Sequence, residues 1–451
     1  MTNINVNLKQ RNICMEKHSR GLFYLGMAAM MAAIFARNIL ELPIPVVAIL
    51  AIGALVAAVS TRDEMIALVI ACIPMSAALQ YKYLIFICII IYIMKFAKDV
   101  KITIAVLPLL FMMVWELVHG LFYPFSVYEY LRGFTELIFC TFLVMIVPKK
   151  VDYKMICRLL AISSICMMSI VLLNLLEKTG YDFAAIFTGS YRFGVGNTEA
   201  ENFGVNYNAN ELGLITNLSI AGLLQLIASK KHHVFDYLMI VVLTMFGVMT
   251  MSRTFLVCFA FIIAMFTIAG VPTLAGKVKR VIFIILMILL ILLLVYALMP
   301  NVYEMFADRF RVDDISNGRN DLFAFYGQHI LSSFKYLLFG VGMQDYGTIV
   351  NDIHKTTWDV CHNGIQELVV CWGVLGIVLF AWFILEMLRN KTKSIKRNII
   401  NFIPLVLILL GVQAGQLITS GFTLLSFCYA YVSLCYDFSG GYQNEQVSQG
   451  N

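Results

Sequence analysis

The stretch from Val281 to Leu298 reads VIFIILMILLILLLVYAL and contains no charged side chain. A helix of about 20 apolar residues is long enough to cross the hydrocarbon layer of a membrane. The apolar residues are continuous and do not alternate with polar ones, which indicates a helix and not a barrel strand. This stretch therefore predicts an integral membrane protein.

The composition of the whole chain agrees with that prediction. Apolar types make up 61% of the 451 residues and charged types only 13%, against about 25% charged residues in a soluble domain. The apolar runs and their interruptions predict an all-α polytopic fold with about fourteen transmembrane helices. The predicted spans are 21–38, 43–60, 65–80, 83–96, 102–120, 133–148, 158–176, 209–228, 234–251, 254–270, 281–298, 362–386, 399–417 and 420–437.

The distribution of Lys and Arg predicts the orientation. With both termini in the cytoplasm, 22 of the 33 Lys and Arg residues fall on the inner side, as the positive-inside rule requires. Residues 1–20 and 438–451 are then cytoplasmic tails, and 21–437 form one multispan domain. Its long outer loops are 177–208 and 299–361, and the second is expected to contain short helices. Because topology explains the net charge of +6, no nucleic-acid partner is predicted.

Three of the arginines that are predicted on the outer side are candidates for function. Arg192 lies in the first long outer loop and Arg319 in the second, while Arg253 follows Ser252 in a tight turn between two apolar helices. An arginine in such a turn needs an anion, a carbonyl group or water beside it. The structural alternatives are a snorkelling anchor for Arg192 and a lipid-headgroup anchor for Arg253.

His362 and Asn363 begin the apolar run that follows the second outer loop. An imidazole titrates near neutral pH, so His362 is a candidate for proton transfer, with His354 as a rival. The alternative is an interfacial histidine satisfied by water or backbone, with Asn363 helping to satisfy the helix end. Gly373 and Gly376 would let this helix pack closely on a neighbour.

Two further polar motifs have simple structural interpretations. The Asn-rich run 206–210 fits a helix cap, and the Phe-Gly-Val-Gly sequence at 339–342 fits a turn, or close approach of the backbone to a ligand. The outer histidines and acids show no spacing expected for zinc. Neither a metal site nor a cofactor is therefore predicted.

In their order along residues 190–386, these motifs resemble the O-antigen ligase and O-antigen polymerase superfamily. The resemblance rests on Arg192, Ser252-Arg253, Gly318-Arg319, 339–342, and His362-Asn363 followed by Gly373 and Gly376. It implies a multispan glycosyltransferase of the bacterial inner membrane with a large outer loop over the active site. Such enzymes transfer a glycan from undecaprenyl pyrophosphate to an acceptor hydroxyl, without nucleotide sugar, metal or cofactor.

The resemblance also implies roles for individual residues. His362 would be the general base, and Arg253 and Arg319 would bind the pyrophosphate and stabilise the leaving charge. Arg192 and Asn363 would contact substrate. We predict a polymerase of capsule, exopolysaccharide or O-antigen, with a flippase and a chain-length regulator as partners. The alternatives are a ligase that transfers a finished glycan to lipid A core or protein, and a flippase for the same lipid-linked sugars.

Overall fold

The structure is a computed structural model of the chain. It describes residues 2–75, 81–100, 102–121, 137–138, 151–178, 180–181, 208–269, 273–298, 304, 319–343, 346–356, 360–389, 399–418 and 421–436. Within these ranges the secondary structure is helical, and none of their residues forms a β-strand. The predicted all-α class is confirmed.

Sixteen α-helices are present in the described part of the chain. They are α1 (Thr2–Ile39), α2 (Val46–Val59), α3 (Arg62–Cys72), α4 (Tyr81–Phe96), α5 (Val106–His119), α6 (Tyr153–Lys178), α7 (Ala209–Ala228), α8 (Val234–Met249), α9 (Arg253–Ala269), α10 (Leu274–Leu298), α11 (Arg319–Leu331), α12 (Phe334–Phe339), α13 (Tyr346–His354), α14 (Gly364–Arg389), α15 (Ile403–Val412) and α16 (Gly421–Cys435).

Every predicted span except 133–148 overlaps one of these helices. That span lies outside the described residues apart from 137–138. Within the described part of the chain, four helical segments are long and apolar enough to cross a membrane: Arg20–Asn38, Tyr153–Glu177, Ala209–Ala228 and Gly364–Arg389. Seven other apolar helices have 10–17 residues. The helix positions thus agree with the sequence, while the total of fourteen membrane crossings stays a prediction.

The segment predicted as the second outer loop contains the short helices α11, α12 and α13. The buried residues of α11 are Leu322, Tyr326, His329 and Ile330, which follow each other at helical spacing and form one face. The short helices expected in this segment are therefore present. At the other end of the chain, residues 2–19 of the predicted cytoplasmic tail belong to α1.

Two helices organise the packing. Helix α7 contacts α6, α8, α9 and α15, and α14 contacts α5, α11, α12 and α16. Gly213 of α7 allows the close approach to α9, because a Cβ atom there would lie 2.9 Å from the Cβ of Phe255. Helix α7 thereby fixes where α9 begins, and α14 connects the short helices to the helical bundle.

Helix α14 is interrupted at Gly373, where φ is 66° and ψ is −162°. A Cβ atom at Gly373 would overlap the carbonyl group of Leu338, and one at Gly340 (φ 72°) would overlap the carbonyl group of Cys371. Only glycine accepts such backbone angles without strain. Two backbones therefore touch at this point, where the chain after α12 crosses α14.

Main-chain hydrogen bonds join the two segments at this crossing. Val341 N–H donates to the carbonyl of Val370 at 2.9 Å, and Gly342 N–H donates to that of Cys371 at 2.7 Å. We call this contact, between residues 339–343 and 370–373, the backbone clasp. The glycines at 339–342 thus allow a turn that closely approaches α14, a helix of the same chain.

A buried carboxylate reinforces the backbone clasp. Glu116 of α5 is 1% exposed, and it accepts hydrogen bonds from Met343 N–H at 3.0 Å and from Trp372 Nε1–H at 2.7 Å. Gly376 has a different role from the one predicted. A Cβ atom there would meet the side chain of Trp372 and the carbonyl of Leu368, so its small size accommodates the bend in α14 itself.

Candidate active site

The turn before Arg253 is held by an asparagine from the start of α7. Asn208 caps α7 by accepting from Asn210 N–H at 2.9 Å, which agrees with the predicted cap. The Ser252 hydroxyl donates to Asn210 Oδ1 at 2.7 Å and accepts from Phe255 N–H at 3.3 Å. Ser252 is therefore both the cap of α9 and its attachment to α7, and Arg253 is the first residue of α9.

The backbone around His362 is held on both sides. Before it, Cys361 N–H donates to the Tyr346 hydroxyl at 3.0 Å. After it, Asn363 Oδ1 accepts two backbone N–H bonds from the first turn of α14, at 3.1 and 3.0 Å. His362 itself has a φ of 50°, in the left-handed region that non-glycine residues seldom adopt. Asn363 is thus a helix cap, and its contact with substrate stays a prediction.

Arg319 begins α11, and α11 is tied to α14 close to His362. Gln366 Nε2–H donates to the carbonyl of Phe323 at 2.6 Å. Gln366 lies in the first turn of α14, and Phe323 lies one turn after Arg319. This bond fixes the start of one helix against the start of the other.

Electrostatic interactions link Arg319 both to Arg253 and to His362. Burial lowers the pKa of the Arg319 guanidinium, and the positive charge of Arg253 lowers that pKa further. Burial also lowers the pKa of His362 below its ordinary value of 6.5, and the charge of Arg319 adds to that shift. Arg319 thus lies near Arg253 and near His362, although the three are distant in sequence; their common function stays a prediction, and Arg192 lies outside the described residues.

All three residues lie at helix N termini. Arg253 and Arg319 are the first residues of α9 and α11, and His362 lies two positions before α14. A helix N terminus presents unsatisfied N–H groups and the positive end of the helix dipole. Combined with two guanidinium groups, this arrangement favours a phosphate-type anion. The imidazole of His362, which burial and the charge of Arg319 keep neutral, is suited to accept a proton.

His354, the rival base, belongs to a different cluster. Its Nε2 atom is 2.8 Å from Nδ1 of His329, which is 1% exposed and stacks on Tyr336 with 4.6 Å between ring centroids. Burial, and to a smaller extent His354, lower the pKa of His329 to about 4. His354 is thus paired with another histidine, whereas the charge of Arg319 acts on His362, and this difference favours His362 as the base.

Among the described residues, no group of three or more His, Cys, Asp or Glu side chains is arranged to hold a metal ion. Positive charge at the site comes from the guanidinium groups of Arg253 and Arg319. Independence from metal ions stays a prediction.

Comparison with known families gives this site a context. Residues 238–381 match the family model described as O-Antigen ligase. This segment is an O-antigen ligase family domain. It contains Arg253, Arg319 and His362, which confirms the resemblance to the O-antigen ligase and polymerase superfamily. No curated protein matches the chain. With its apolar helices, the chain is an integral membrane protein of a glycan-transferring class.

Two polar residues next to the site were not predicted as functional. Glu367 lies inside the O-antigen ligase domain and is 0% exposed, and Asn210 lies before that domain. A carboxylate within an apolar helix itself indicates a specific role, because burying such a charge requires partners. The hydrogen-bond partners of Glu367 are Leu417 and Ile418, in a different segment that is described below.

Proposed function

We propose that this protein polymerises lipid-linked oligosaccharide repeat units on the extracytoplasmic face of the bacterial inner membrane. The growing glycan would pass from undecaprenyl pyrophosphate to a hydroxyl group of the acceptor sugar. The observation that carries the proposal is the grouping of two arginines and one histidine at the starts of α9, α11 and α14.

The reaction needs a base for the acceptor hydroxyl and positive charge for the leaving pyrophosphate. An acceptor hydroxyl attacks the anomeric carbon of the donor glycan, and the bond from that carbon to the pyrophosphate oxygen breaks. Neutral His362 takes the hydroxyl proton. General-base catalysis of this kind raises the rate by about 10²- to 10⁴-fold. The released pyrophosphate carries the bond electrons, and Arg253 and Arg319 stabilise its charge.

The two arginines suit this leaving group because guanidinium forks match phosphate oxygens in a bidentate geometry. Burial and, to a smaller extent, repulsion by Arg253 lower the pKa of Arg319, and this repulsion is relieved when a dianion binds to both arginines. Arg192 and Asn363 are further proposed contacts for sugar or phosphate.

A ligase is the second candidate, because the matched family model bears that description. It would use the same donor and the same three residues, and it would differ only in transferring a finished glycan to lipid A core or a protein. A flippase for the same lipid would instead need charged groups at midmembrane and broken helices in pairs. The residues of the proposed site lie instead at the N termini of helices, and this position favours glycan transfer over lipid translocation.

Reconstitution into liposomes with the lipid-linked repeat unit tests the proposal. Wild-type protein should lengthen the glycan and release undecaprenyl pyrophosphate. His362→Ala should lower the rate by about 10²-fold or more, while His232→Ala, an exposed histidine in the turn before α8, should leave it unchanged. Full activity of His362→Ala would remove His362 as the base. Lipid translocation without a new glycosidic bond would identify a flippase, and transfer only to lipid A core would identify a ligase.

A further inference from the structure

Residues 413–418, between α15 and α16, lie beside both ends of the proposed site. We call this segment the brace loop. It is outside the O-antigen ligase domain, and neither its sequence nor its length suggests a role. Its contacts, however, are made by Asn210, which holds the Arg253 turn, and by Glu367, which lies one turn into the helix that follows His362.

Asn210 uses both ends of its carboxamide. Its Oδ1 accepts from the Ser252 hydroxyl at 2.7 Å, and its Nδ2–H donates to the carbonyl of Ala414 at 3.3 Å. The first bond positions the turn that presents Arg253, and the second attaches that turn to the brace loop. One side chain therefore links the arginine end of the site to residue 414.

Glu367 makes the corresponding attachment from α14. A single carboxylate oxygen, Oε2, accepts from Leu417 N–H at 2.5 Å and from Ile418 N–H at 2.9 Å. Glu367 is 0% exposed, and a buried carboxylate is tolerated when such bonds satisfy it. Backbone contact supports the attachment, since a Cβ atom at Gly364 would lie 2.6 Å from the Cβ of Leu417.

We propose that Asn210 and Glu367 are positioning residues that use the brace loop as a rigid spacer between Arg253 and His362. The inference rests on the proposed function, because it concerns the separation of the group that stabilises the leaving pyrophosphate and the group that takes the proton. Such transfer is sensitive to geometry, and a displacement of about 1 Å can cost about 10²-fold in rate. Neither residue touches substrate.

Conservative variants change the hydrogen bonds of these two attachments and leave the rest of the fold intact. Glu367→Gln keeps one oxygen that can accept both N–H bonds, whereas Glu367→Ala removes it. Asn210→Asp keeps the acceptor for Ser252 but removes the donor to Ala414. Gln413→Ala is the matched control, because Gln413 is an exposed residue of the same loop.

Turnover is then measured in the reconstituted system, with folding monitored by thermal unfolding in detergent. Glu367→Ala and Asn210→Asp should each lower kcat by about tenfold or more while KM changes less than about twofold. Glu367→Gln should retain most of the wild-type kcat, and Gln413→Ala all of it. Because both attachments act through one spacer, the double variant should be no slower than the slower single variant.

Several outcomes would overturn the inference. These are multiplicative effects in the double variant, a Glu367→Gln variant as slow as Glu367→Ala, or wild-type kcat in Asn210→Asp. If Glu367→Ala fails to fold, Asn210→Asp and Glu367→Gln still decide. Wild-type protein without transfer activity, or full activity in His362→Ala, would instead reject the proposed function.

Discussion

His362 combines an unusual backbone conformation with an altered acidity. Its φ of 50° persists because the preceding residue is held by Tyr346 and the following one caps α14. Strained backbone angles of this kind often occur at functional sites, where the surrounding structure enforces them. The backbone of His362 is consequently fixed, and burial and the charge of Arg319 lower the pKa of its imidazole.

The pH dependence of turnover should report that proton affinity. A base with a lowered pKa stays neutral, and therefore active, below the ordinary value of 6.5. The rate should fall only when pH drops through the lowered pKa of His362. Arg319→Gln removes the positive charge, so the pKa of His362 rises and the acidic limb moves to higher pH. Profiles of kcat/KM between about pH 4.5 and 8.5 measure this.

The position of the acidic limb, and not the overall rate, is the decisive quantity here, since Arg319 is also proposed to bind the donor. Arg280→Lys, at an exposed position of α10, serves as the control and should leave the limb unmoved. An acidic limb that stays in place, or moves to lower pH, in Arg319→Gln would show that Arg319 does not act on His362.

At the scale of elements, the sequence predicted the helices well but not their internal geometry. Helix α7 has the bounds predicted for the span 209–228, because a long apolar run between polar ends fixes a helix without reference to its neighbours. The interruption of α14 was missed, since the residues around Gly373 read as one continuous apolar run. A break of this kind depends on the backbone of residues 338–342, which the local sequence of α14 does not encode.

Gly373→Ala should strongly destabilise the protein. A Cβ atom at this position meets the Leu338 carbonyl, and a φ of 66° is itself unfavourable for alanine by about 1 kcal/mol. The combined cost should exceed about 2 kcal/mol, measured as a lower unfolding temperature in detergent. Gly327→Ala in α11 is the control, because its nearest contact would be Gln366 Nε2 at 3.8 Å. Equal unfolding temperatures for the two variants would contradict the backbone clasp.

At the scale of the whole molecule, the site is assembled from parts that no local pattern connects. Sequence reasoning placed Arg253, Arg319 and His362 on one side of the membrane from charge counting alone, and that placement stays a prediction. It could not find the bond from Asn210 to Ala414, or the pairing of His329 with His354. Such contacts depend on the packing of helices that are distant in sequence.

The predicted orientation can be tested with two cysteine substitutions. Ser332→Cys lies in the exposed turn between α11 and α12, and His232→Cys lies in the exposed turn between α7 and α8. A membrane-impermeant maleimide added to intact cells with a permeabilised outer membrane should label Ser332→Cys only, because positive-inside counting places residue 232 in the cytoplasm. Wild-type protein without an added cysteine sets the background labelling, and nine of its eleven cysteines are buried or partly buried. Labelling of His232→Cys without lysis of the inner membrane would reverse the orientation.

The backbone clasp also has a consequence for the exchange of helices between related enzymes. Its bonds from Val341 and Gly342 to the carbonyls of α14 are main-chain bonds, and such bonds do not depend on side-chain identity. The rest of the surface of α11 and α13, apart from Arg319 and Tyr346, can therefore diverge while the crossing at Gly340 and Gly373 holds its place. A chimera that receives these helices from a related enzyme, with Arg319, Tyr346 and both glycines retained, would acquire a new surface on an unchanged attachment.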